Sequence, residues 1–247
     1  MTGASLPTRR RSLQGRLALI TGANRGIGLE IGRALAREGC DLVITARDTR
    51  TLAHAARMLE KRGVQVLAQT CDVRDPDSVD RLFARVRGLR RALNILVNNA
   101  GIAHPARVLA DLPYPMWNAV IETNLTGMFL VTQAALAVLK RGSVIVNNLS
   151  IAADRVFPGS AAYNASKHGA LGLTDTLREE LRPKGIRVIA LMPGATDTDI
   201  WKTMWPKAPR RKMMKAPAVA AIVVNALLAP ENVMVEKIVI MPSGGAL

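Results

Sequence analysis

The sequence places a tyrosine and a lysine four residues apart, at Tyr163 and Lys167, in the segment YNASK. Residues with this separation face nearly the same side of an α-helix, so the two side chains would lie together if the segment is helical. A free phenol has a pKa of about 10, and a neighbouring ammonium lowers that pKa by stabilising the phenolate. The pair could be a proton donor tuned by a cation, although the same spacing also arises by chance on ordinary helices.

A glycine-rich segment, TGANRGIG at residues 21 to 28, lies between the first apolar run and a helical stretch. Glycines at 22, 26 and 28 permit a tight turn and close approach of a diphosphate, which the N–H groups of a helix N-terminus attract. The spacing differs from the GxGxxG dinucleotide fingerprint. Its position at the first strand-to-helix turn is nevertheless where such ligands bind in alternating folds.

Short apolar runs rich in β-branched residues alternate with helical stretches along the chain. This alternation predicts an α/β fold, a single doubly wound Rossmann-type domain whose seven-stranded parallel sheet is flanked by helices. Two long helices are predicted near residues 115 to 139 and 160 to 182. The predicted strands are residues 17 to 21, 42 to 45, 64 to 68, 93 to 97, 143 to 149, 186 to 191 and 237 to 240.

The composition is that of a soluble globular protein, with 49% hydrophobic and 21% charged residues in a chain of 247. No apolar run is long enough to span a bilayer, so no membrane association is predicted. Two cysteines, Cys40 and Cys71, suit free thiols in a reducing compartment, and we expect a cytoplasmic protein. Histidine, cysteine and carboxylate residues are not clustered with a metal-ligand spacing, so no metal site is predicted.

The formal net charge of +15 favours anionic ligands in general. The arginines are spread over predicted helices and lack interleaved aromatic residues, so nucleic-acid binding is not favoured. Residues 1 to 15 are predicted to be a flexible basic arm, and residues 16 to 247 the folded domain. The arm lacks the apolar centre of a secretory signal, but its composition is also compatible with an organellar targeting segment.

Several further motifs follow the glycine turn in a fixed order: Asp72 after the third predicted strand, NNAG at residues 98 to 101, Asn124 in NLTG, Ser150 after the fifth strand, then YNASK and a Pro-Gly pair at residues 193 and 194. This series resembles the short-chain dehydrogenase/reductase family from residue 16 onward. The resemblance implies an oxidoreductase that interconverts a carbonyl and a secondary alcohol by hydride transfer.

In that family, four of these positions form a catalytic tetrad. By resemblance, Tyr163 is the general acid or base, and Lys167 lowers its pKa and binds the nicotinamide ribose. Ser150, 13 residues before Tyr163, orients the substrate. Asn124 holds a water in a proton relay that reaches the lysine. Taken alone, a serine at a strand end is more often a turn former, and Asn124 could be a helix residue bonded to backbone.

The resemblance also implies a cofactor site, and the charges within it favour NADP(H). Ala46 stands where NAD-preferring members carry an acid, whereas Arg25 and Arg47 can bind a 2′-phosphate. Asp48 weakens this argument slightly, and both arginines could instead face solvent. The cofactor-binding residues carried over are Gly22, Asn24, Arg25, Gly26, Ile27, Gly28, Arg47, Asp72, Val73, Asn99, Ala100, Gly101, Tyr163, Lys167, Pro193, Gly194, Thr196 and Thr198.

The family places a mobile substrate lid near residues 195 to 216. Trp201, Met204, Trp205, Met213 and Met214 are expected to cover an apolar ligand. Six lysines and arginines in the same segment could attract an anionic substrate or carrier, or form a solvated surface. The substrate alternatives are a 3-oxoacyl thioester, a small 3-hydroxy acid or another ketone.

Two further expectations concern the molecule as a whole. The family commonly forms homotetramers or homodimers through its two long helices. A catalytically silent nicotinamide-binding sensor of the same fold is the alternative to an enzyme, but known members of that kind lose the tyrosine or the lysine. Both Tyr163 and Lys167 are present in this chain.

Overall fold

The computed structural model describes residues 12 to 245. Its main feature is a seven-stranded sheet between two layers of helices, and a further pair of two-residue strands lies near the C-terminal third of the chain. The strands are β1 (Leu17–Thr21), β2 (Asp41–Ala46), β3 (Val66–Thr70), β4 (Leu93–Asn98), β5 (Leu139–Asn148), β6 (Arg187–Pro193), β7 (Thr196–Asp197), β8 (Met214–Lys215) and β9 (Lys237–Ile240).

Helices follow most of these strands and cover both faces of the sheet. Two of them, α2 and α3, begin directly after an aspartate whose side chain caps the helix. The helices are α1 (Gly26–Arg37), α2 (Thr49–Glu60), α3 (Pro76–Gly88), α4 (Tyr114–Ile121), α5 (Gly127–Ala135), α6 (Ala161–Leu181), α7 (Ile200–Met204) and α8 (Ala216–Leu227).

The strand order is β3-β2-β1-β4-β5-β6-β9, and every neighbouring pair in this sheet is parallel. The chain runs outward from β1 through β2 to β3, then crosses to β4 on the other side of β1. The carboxyl ends of β1 and β4 therefore flank the point where strand order reverses, which is where open α/β sheets bind ligands. The predicted doubly wound α/β fold is confirmed.

The core is divided by the sheet into two apolar layers. On β1, Ala18 and Ile20 pack with residues of α1, α2 and α8. Leu17 and Leu19 point to the opposite face and pack with residues of α3, α5 and α6, including the fully buried Phe83. Because both faces of the strand are covered, its sequence is continuously apolar rather than alternating.

All seven predicted strands of the sheet are present, but one predicted helix is wrong. Residues 115 to 139 form α4, a π turn at Glu122–Thr126 and α5, and α5 ends at Ala135. Leu139 already belongs to β5, where it pairs with Leu93 of β4. A short apolar run such as LAVL fits a helix or a buried strand equally well, and only its partner in the sheet decides between them.

The N-terminal boundary of the ordered fold lies before residue 16. Residues 1 to 11 of the predicted basic arm lie outside the described residues. Leu13, within that predicted arm, is buried in the core, and its N–H donates to the Glu38 carbonyl at 2.9 Å. Within residues 12 to 245, none of the helices has the length and apolar character needed to cross a membrane.

Candidate active site

The glycine turn after β1 has a backbone that requires glycine at three positions. Gly22 and Gly26 adopt φ values of +64° and +57°, a region that residues with a Cβ rarely occupy. A Cβ on Gly28 would lie 2.3 Å from Asn99 Nδ2. That nitrogen donates to the carbonyls of Thr21 at 2.8 Å and Gly22 at 3.1 Å. Asn99 therefore holds the turn from the side of β4, and Gly28 leaves room for it.

The first turn of α1 keeps its N–H groups available for a ligand. Arg25 occupies the N-cap position, but its side chain forms no capping hydrogen bond, and the first turn contains no acidic residue. An uncapped helix N-terminus carries a partial positive charge that favours phosphate. Thr198 lies beside this turn, because a Cβ on Gly26 would be 3.4 Å from its Cγ2. These features fit the diphosphate of a dinucleotide.

We expect Gly28→Ala to destabilise the fold by ~1–3 kcal/mol, because the new methyl group overlaps Asn99 and cannot be accommodated without moving the turn. The free energy of unfolding in urea measures this loss, and a dinucleotide titration should show weaker binding. Gly172→Ala is the matched control. A Cβ on Gly172, inside α6, meets nothing within 4 Å, and alanine there should stabilise the helix by up to about 1 kcal/mol. Equal effects of the two substitutions would contradict this prediction.

A cleft of about 1070 Å³ opens at the carboxyl ends of the strands. Two predicted site residues do not line it: Gly28 lies behind the glycine turn, and Asn124 lines a small adjoining cavity. All the other predicted site residues line the cleft, namely Gly22, Asn24, Arg25, Gly26, Ile27, Arg47, Asp72, Val73, Asn99, Ala100, Gly101, Ser150, Tyr163, Lys167, Pro193, Gly194, Thr196 and Thr198.

One end of the cleft carries the two arginines singled out in the sequence. Ala46, the last residue of β2, is buried, and Arg47 follows it with an exposed side chain. The Arg25 side chain is 70% exposed and lies 3.6 Å from Asp199, measured from Nη1 to Oδ2. Both cations can therefore reach an anionic group in this end of the cleft, but Arg25 already has an acidic neighbour.

Two aspartates at this end of the cleft, Asp48 and Asp72, form hydrogen bonds with neighbouring residues. Asp48 caps α2 by accepting a hydrogen bond from the Thr51 amide at 2.7 Å, and bonds from the Thr51 hydroxyl and amide lower the pKa of Asp48. Asp72 lies 2.6 Å from Arg74, measured from Oδ2 to Nη2, and this hydrogen bond lowers the pKa of Asp72. Asp48 therefore serves as a helix cap, and its exposed carboxylate also lines the cleft.

The other end of the cleft brings Ser150, Tyr163 and Lys167 together. Tyr163 and Lys167 lie in the first turns of α6 and are 8% and 6% exposed. Lys167 Nζ is 5.6 Å from the centre of the Tyr163 ring and donates to the Asn148 carbonyl at 3.1 Å. Ser150 lies just after the end of β5 and lines the same cleft, and its hydroxyl accepts a hydrogen bond from the Ala152 amide at 3.1 Å. A phenol, a hydroxyl and an amine thus meet at the surface of one cleft.

Burial sets the protonation of the two titratable groups. It raises the pKa of Tyr163 above its usual value near 10, and the neighbouring Ser150 hydroxyl only partly opposes this. Burial also lowers the pKa of Lys167 to about 8. The net direction for Tyr163 in this structure is therefore upward, because the phenol is removed from water, and the lowering of its pKa by Lys167 stays a prediction. At neutral pH, Tyr163 carries its proton and most of Lys167 is charged.

Asn124 lies in the π turn between α4 and α5, and its side chain is hydrogen-bonded to two other segments of the chain. Its Oδ1 accepts from the Ile102 amide at 2.8 Å, and its Nδ2 donates to the Ile102 carbonyl at 2.9 Å and to the Ser166 hydroxyl at 3.1 Å. The side chain therefore fastens the segment after β4 to α6, one residue from Lys167. It bonds to backbone, as the structural alternative anticipated, but to the backbone of a distant segment.

Sequence reasoning missed Asn148, the last residue of β5. Its carbonyl accepts the hydrogen bond from Lys167, and its side-chain Nδ2 donates to Asn99 Oδ1 at 2.8 Å. Because Asn99 holds the glycine turn, Asn148 connects the lysine to that turn. The available signal was the Asn-Asn pair at residues 147 and 148, which ends an otherwise apolar strand in SVIVNNL.

The predicted lid is held as a folded unit. Strands β7 and β8 pair with each other in parallel. Asp197 forms ion pairs with Arg210 and Lys215, and the Lys215 contact is 2.9 Å. The Trp201 indole donates to the Thr196 carbonyl at 2.9 Å. The lid therefore has its own hydrogen bonds and ion pairs.

Only part of the predicted apolar cover faces the cleft. Trp201, Met204 and Trp205 line it, as expected. Met213 is buried away from the cleft and Met214 packs against the core, so the expectation for these two residues is wrong. Met214 begins β8, which pairs with β7, and Met213 directly precedes it.

Comparison with known proteins agrees with this architecture. The family model for short chain dehydrogenase matches residues 16 to 209. The rat protein Dehydrogenase/reductase SDR family member 4 is 33% identical over 211 residues, which are 84% of this chain and 75% of that protein. The 3-oxoacyl-(acyl-carrier-protein) reductase of Synechocystis is 35% identical over 196 residues, which are 78% of this chain and 79% of that protein.

A solved structure shows the same fold with a bound dinucleotide. It is a short chain dehydrogenase from Burkholderia cenocepacia J2315 in complex with NADP, with a TM-score of 0.86 and 33% identity. The similarity covers 94% of this chain and 98% of that one. The fold and cleft define a dinucleotide-binding α/β oxidoreductase. The chain belongs to the short-chain dehydrogenase/reductase family and is a dehydrogenase/reductase acting on carbonyl or alcohol groups.

Proposed function

We propose that the chain is an NADP(H)-dependent carbonyl reductase in which Tyr163 donates the proton. The observation that carries the proposal is the position of Ser150, Tyr163 and Lys167 on one cleft wall, with Lys167 Nζ 5.6 Å from the centre of the phenol ring. A carbonyl oxygen bound between the hydroxyl and the phenol would meet both the donor that holds it and the donor that protonates it.

The residues of the other end fit a nicotinamide dinucleotide with a 2′-phosphate. The glycine turn and the uncapped α1 would hold the diphosphate, and Arg47, with Arg25, would bind the 2′-phosphate. The buried Ala46 offers no carboxylate to repel that phosphate. When bound, the cofactor supplies the hydride. The NADP-bound relative from Burkholderia cenocepacia supports the choice of cofactor.

Side chains of the protein supply the proton and stabilise the charge that its transfer leaves behind. Ser150 holds the substrate oxygen, and Tyr163, protonated at neutral pH because burial raises its pKa, gives its proton to the developing alkoxide. The charged Lys167 then stabilises the phenolate that remains. Asn124 and Asn148 keep Lys167 in place through Ser166 and the Asn148 carbonyl. These roles suit reduction at neutral pH, because the acid begins in its protonated form.

The pH dependence of reduction should report the ionisation of Lys167. Its pKa of about 8 means that the ammonium is present below that pH and is lost above it. We therefore expect kcat/KM for a ketone, measured at saturating NADPH, to fall about tenfold for each pH unit above 8. In Lys167→Arg, the residual activity should lack this decline, because the guanidinium stays charged. An unchanged decline in that variant would assign it to another group.

The proposed function is tested by following NADPH oxidation with a panel of ketones, 3-oxo esters and 3-oxoacyl thioesters. Turnover of at least one of these classes is expected. Tight binding of NADPH without turnover of any ketone would instead favour the silent sensor. Against the sensor, Tyr163 and Lys167 are present and lie together in the cleft.

We also infer a homotetramer or homodimer. The support is three exposed apolar side chains, Tyr114 on α4, Phe129 on α5 and Leu136 just after α5, which are 73%, 43% and 38% exposed. Side chains of this kind are often covered in an assembly. The molar mass in solution checks this inference. The cytoplasmic location stays a prediction, and so does a targeting role for the N-terminal arm, most of which lies outside the described residues.

A further inference from the structure

Building on the proposed function, we propose that the substrate is a neutral ketone with a bulky apolar group, not an anionic 3-oxo or 3-hydroxy acid. The cleft wall around Ser150 and Tyr163 decides this choice by its apolar character and its charges. The argument concerns the substrate end alone and does not depend on which nicotinamide cofactor binds.

The substrate end has an apolar wall made by three segments. They are the chain after β4, the chain after β5 and α7 with the residue that follows it. Trp205, at the end of α7, is 46% exposed, so part of its indole is available for a ligand to cover. Burial of apolar surface of this kind favours an alkyl or aromatic substituent. The wall includes Ile102, Leu149, Phe157, Trp201, Met204 and Trp205.

Within the described part of the chain, the cations that line the cleft are Arg25, Arg47 and Lys167. The two arginines lie at the dinucleotide end, and Lys167 Nζ is bonded to the Asn148 carbonyl beside the phenol ring. The acidic residue on the lid side is Asp199, and its carboxylate is paired with Arg25 and Lys202. An anionic substrate would therefore leave water without gaining a cationic partner of its own, which is unfavourable.

The lysines and arginines of the lid could have supplied a cationic partner for an anionic substrate, but they do not line the cleft. Lys202 pairs with Asp199 at 2.7 Å, and Arg210 and Lys215 pair with Asp197. The remaining three lie on the outer surface of the lid and are exposed: Lys207, Arg211 and Lys212. The basic character of this segment therefore belongs to its outer side.

A matched pair of ketones tests the charge preference. Methyl 4-acetylbenzoate and 4-acetylbenzoate have the same reacting carbonyl and ring, and only the second is anionic. We expect kcat/KM to be at least ~100-fold higher for the ester, because the carboxylate meets no cation in the cleft. Ethyl 3-oxobutanoate and 3-oxobutanoate repeat the comparison with a small acid. If kcat/KM for the acid equals that for its ester, the inference is overturned.

Two variants show whether the lid explains the result. Arg211→Glu reverses an exposed charge that lies off the cleft, and it should leave the ratio of ester to acid activity unchanged. Met204→Lys places a cation on the cleft wall. It should lower the ratio of ester to acid activity about tenfold, because kcat/KM for the acid rises. A selective loss of acid activity in Arg211→Glu would show that the outer cations recruit anions, and would overturn the inference.

Failure of this inference differs from failure of the proposed function. If ketones are reduced but the acids are preferred, the carbonyl reductase stands and only the substrate class is wrong. If no ketone of either charge is reduced while NADPH binds, the proposed function fails and this inference fails with it.

Discussion

Tyr163→Phe is expected to lower kcat for ketone reduction by ~10²–10⁴-fold, the usual contribution of a general acid. The substitution removes one oxygen from a ring that is 8% exposed, so packing in the first turn of α6 is largely kept. The affinity for NADPH, measured by fluorescence titration, should change little. A loss confined to kcat would show that the phenol acts on the reacting oxygen and not on the fold.

The chain contains one other tyrosine, which makes a matched control. Tyr114 begins α4 and is 73% exposed. Tyr114→Phe makes the same chemical change at a site away from the cleft, and it should leave kcat unaltered. If Tyr163→Phe retained more than about a tenth of the wild-type kcat, the main proton donor would have to be another group.

Arg47→Asp should lower the preference for NADPH over NADH by ~10–150-fold in kcat/KM, which corresponds to one charge-assisted hydrogen bond of ~1.5–3 kcal/mol. The aspartate would also repel the 2′-phosphate, and it would stand next to Ala46, where it could accept hydrogen bonds from ribose hydroxyls. Arg25→Ala should have a smaller effect, because Asp199 already lies 3.6 Å from that guanidinium.

Arg50→Asp is the control for the charge change itself. Arg50 lies in the first turn of α2, is exposed and does not line the cleft. It should alter cofactor preference much less than Arg47→Asp, and any effect should fall as salt screens the long-range field. If both variants keep the wild-type preference, Arg47 is not the phosphate partner and Arg25 becomes the residue to test.

The sequence was informative wherever a local pattern has a single physical meaning. The central strands of the sheet are short apolar runs, because both of their faces are covered, and all seven strands were found within a few residues. The glycine turn was equally readable, since Gly22 and Gly26 need a backbone that other residues rarely adopt. These features depend on neighbouring residues along the chain.

Features set by distant contacts were not readable. The π turn at Asn124 is held by bonds to Ile102, 22 residues away, and no helical periodicity reveals such a partner. The position of Met214 against the core goes with pairing between β7 and β8, two strands that lie far apart in the sequence. The raised pKa of Tyr163 follows from burial, which spacing alone does not give. In each case the feature is decided by contacts between residues that are far apart in the sequence.

The uncapped start of α1 has a consequence for how much of the protein is folded in a cell. Its first N–H groups gain a strong acceptor only when an anion binds there, so a bound dinucleotide completes the helix that it touches. A ligand that binds only the folded chain adds about 2.7 kcal/mol of stability at a concentration of about 100 times its Kd. The supply of the dinucleotide would thus act by mass action on the lifetime and abundance of the chain as well as on its turnover.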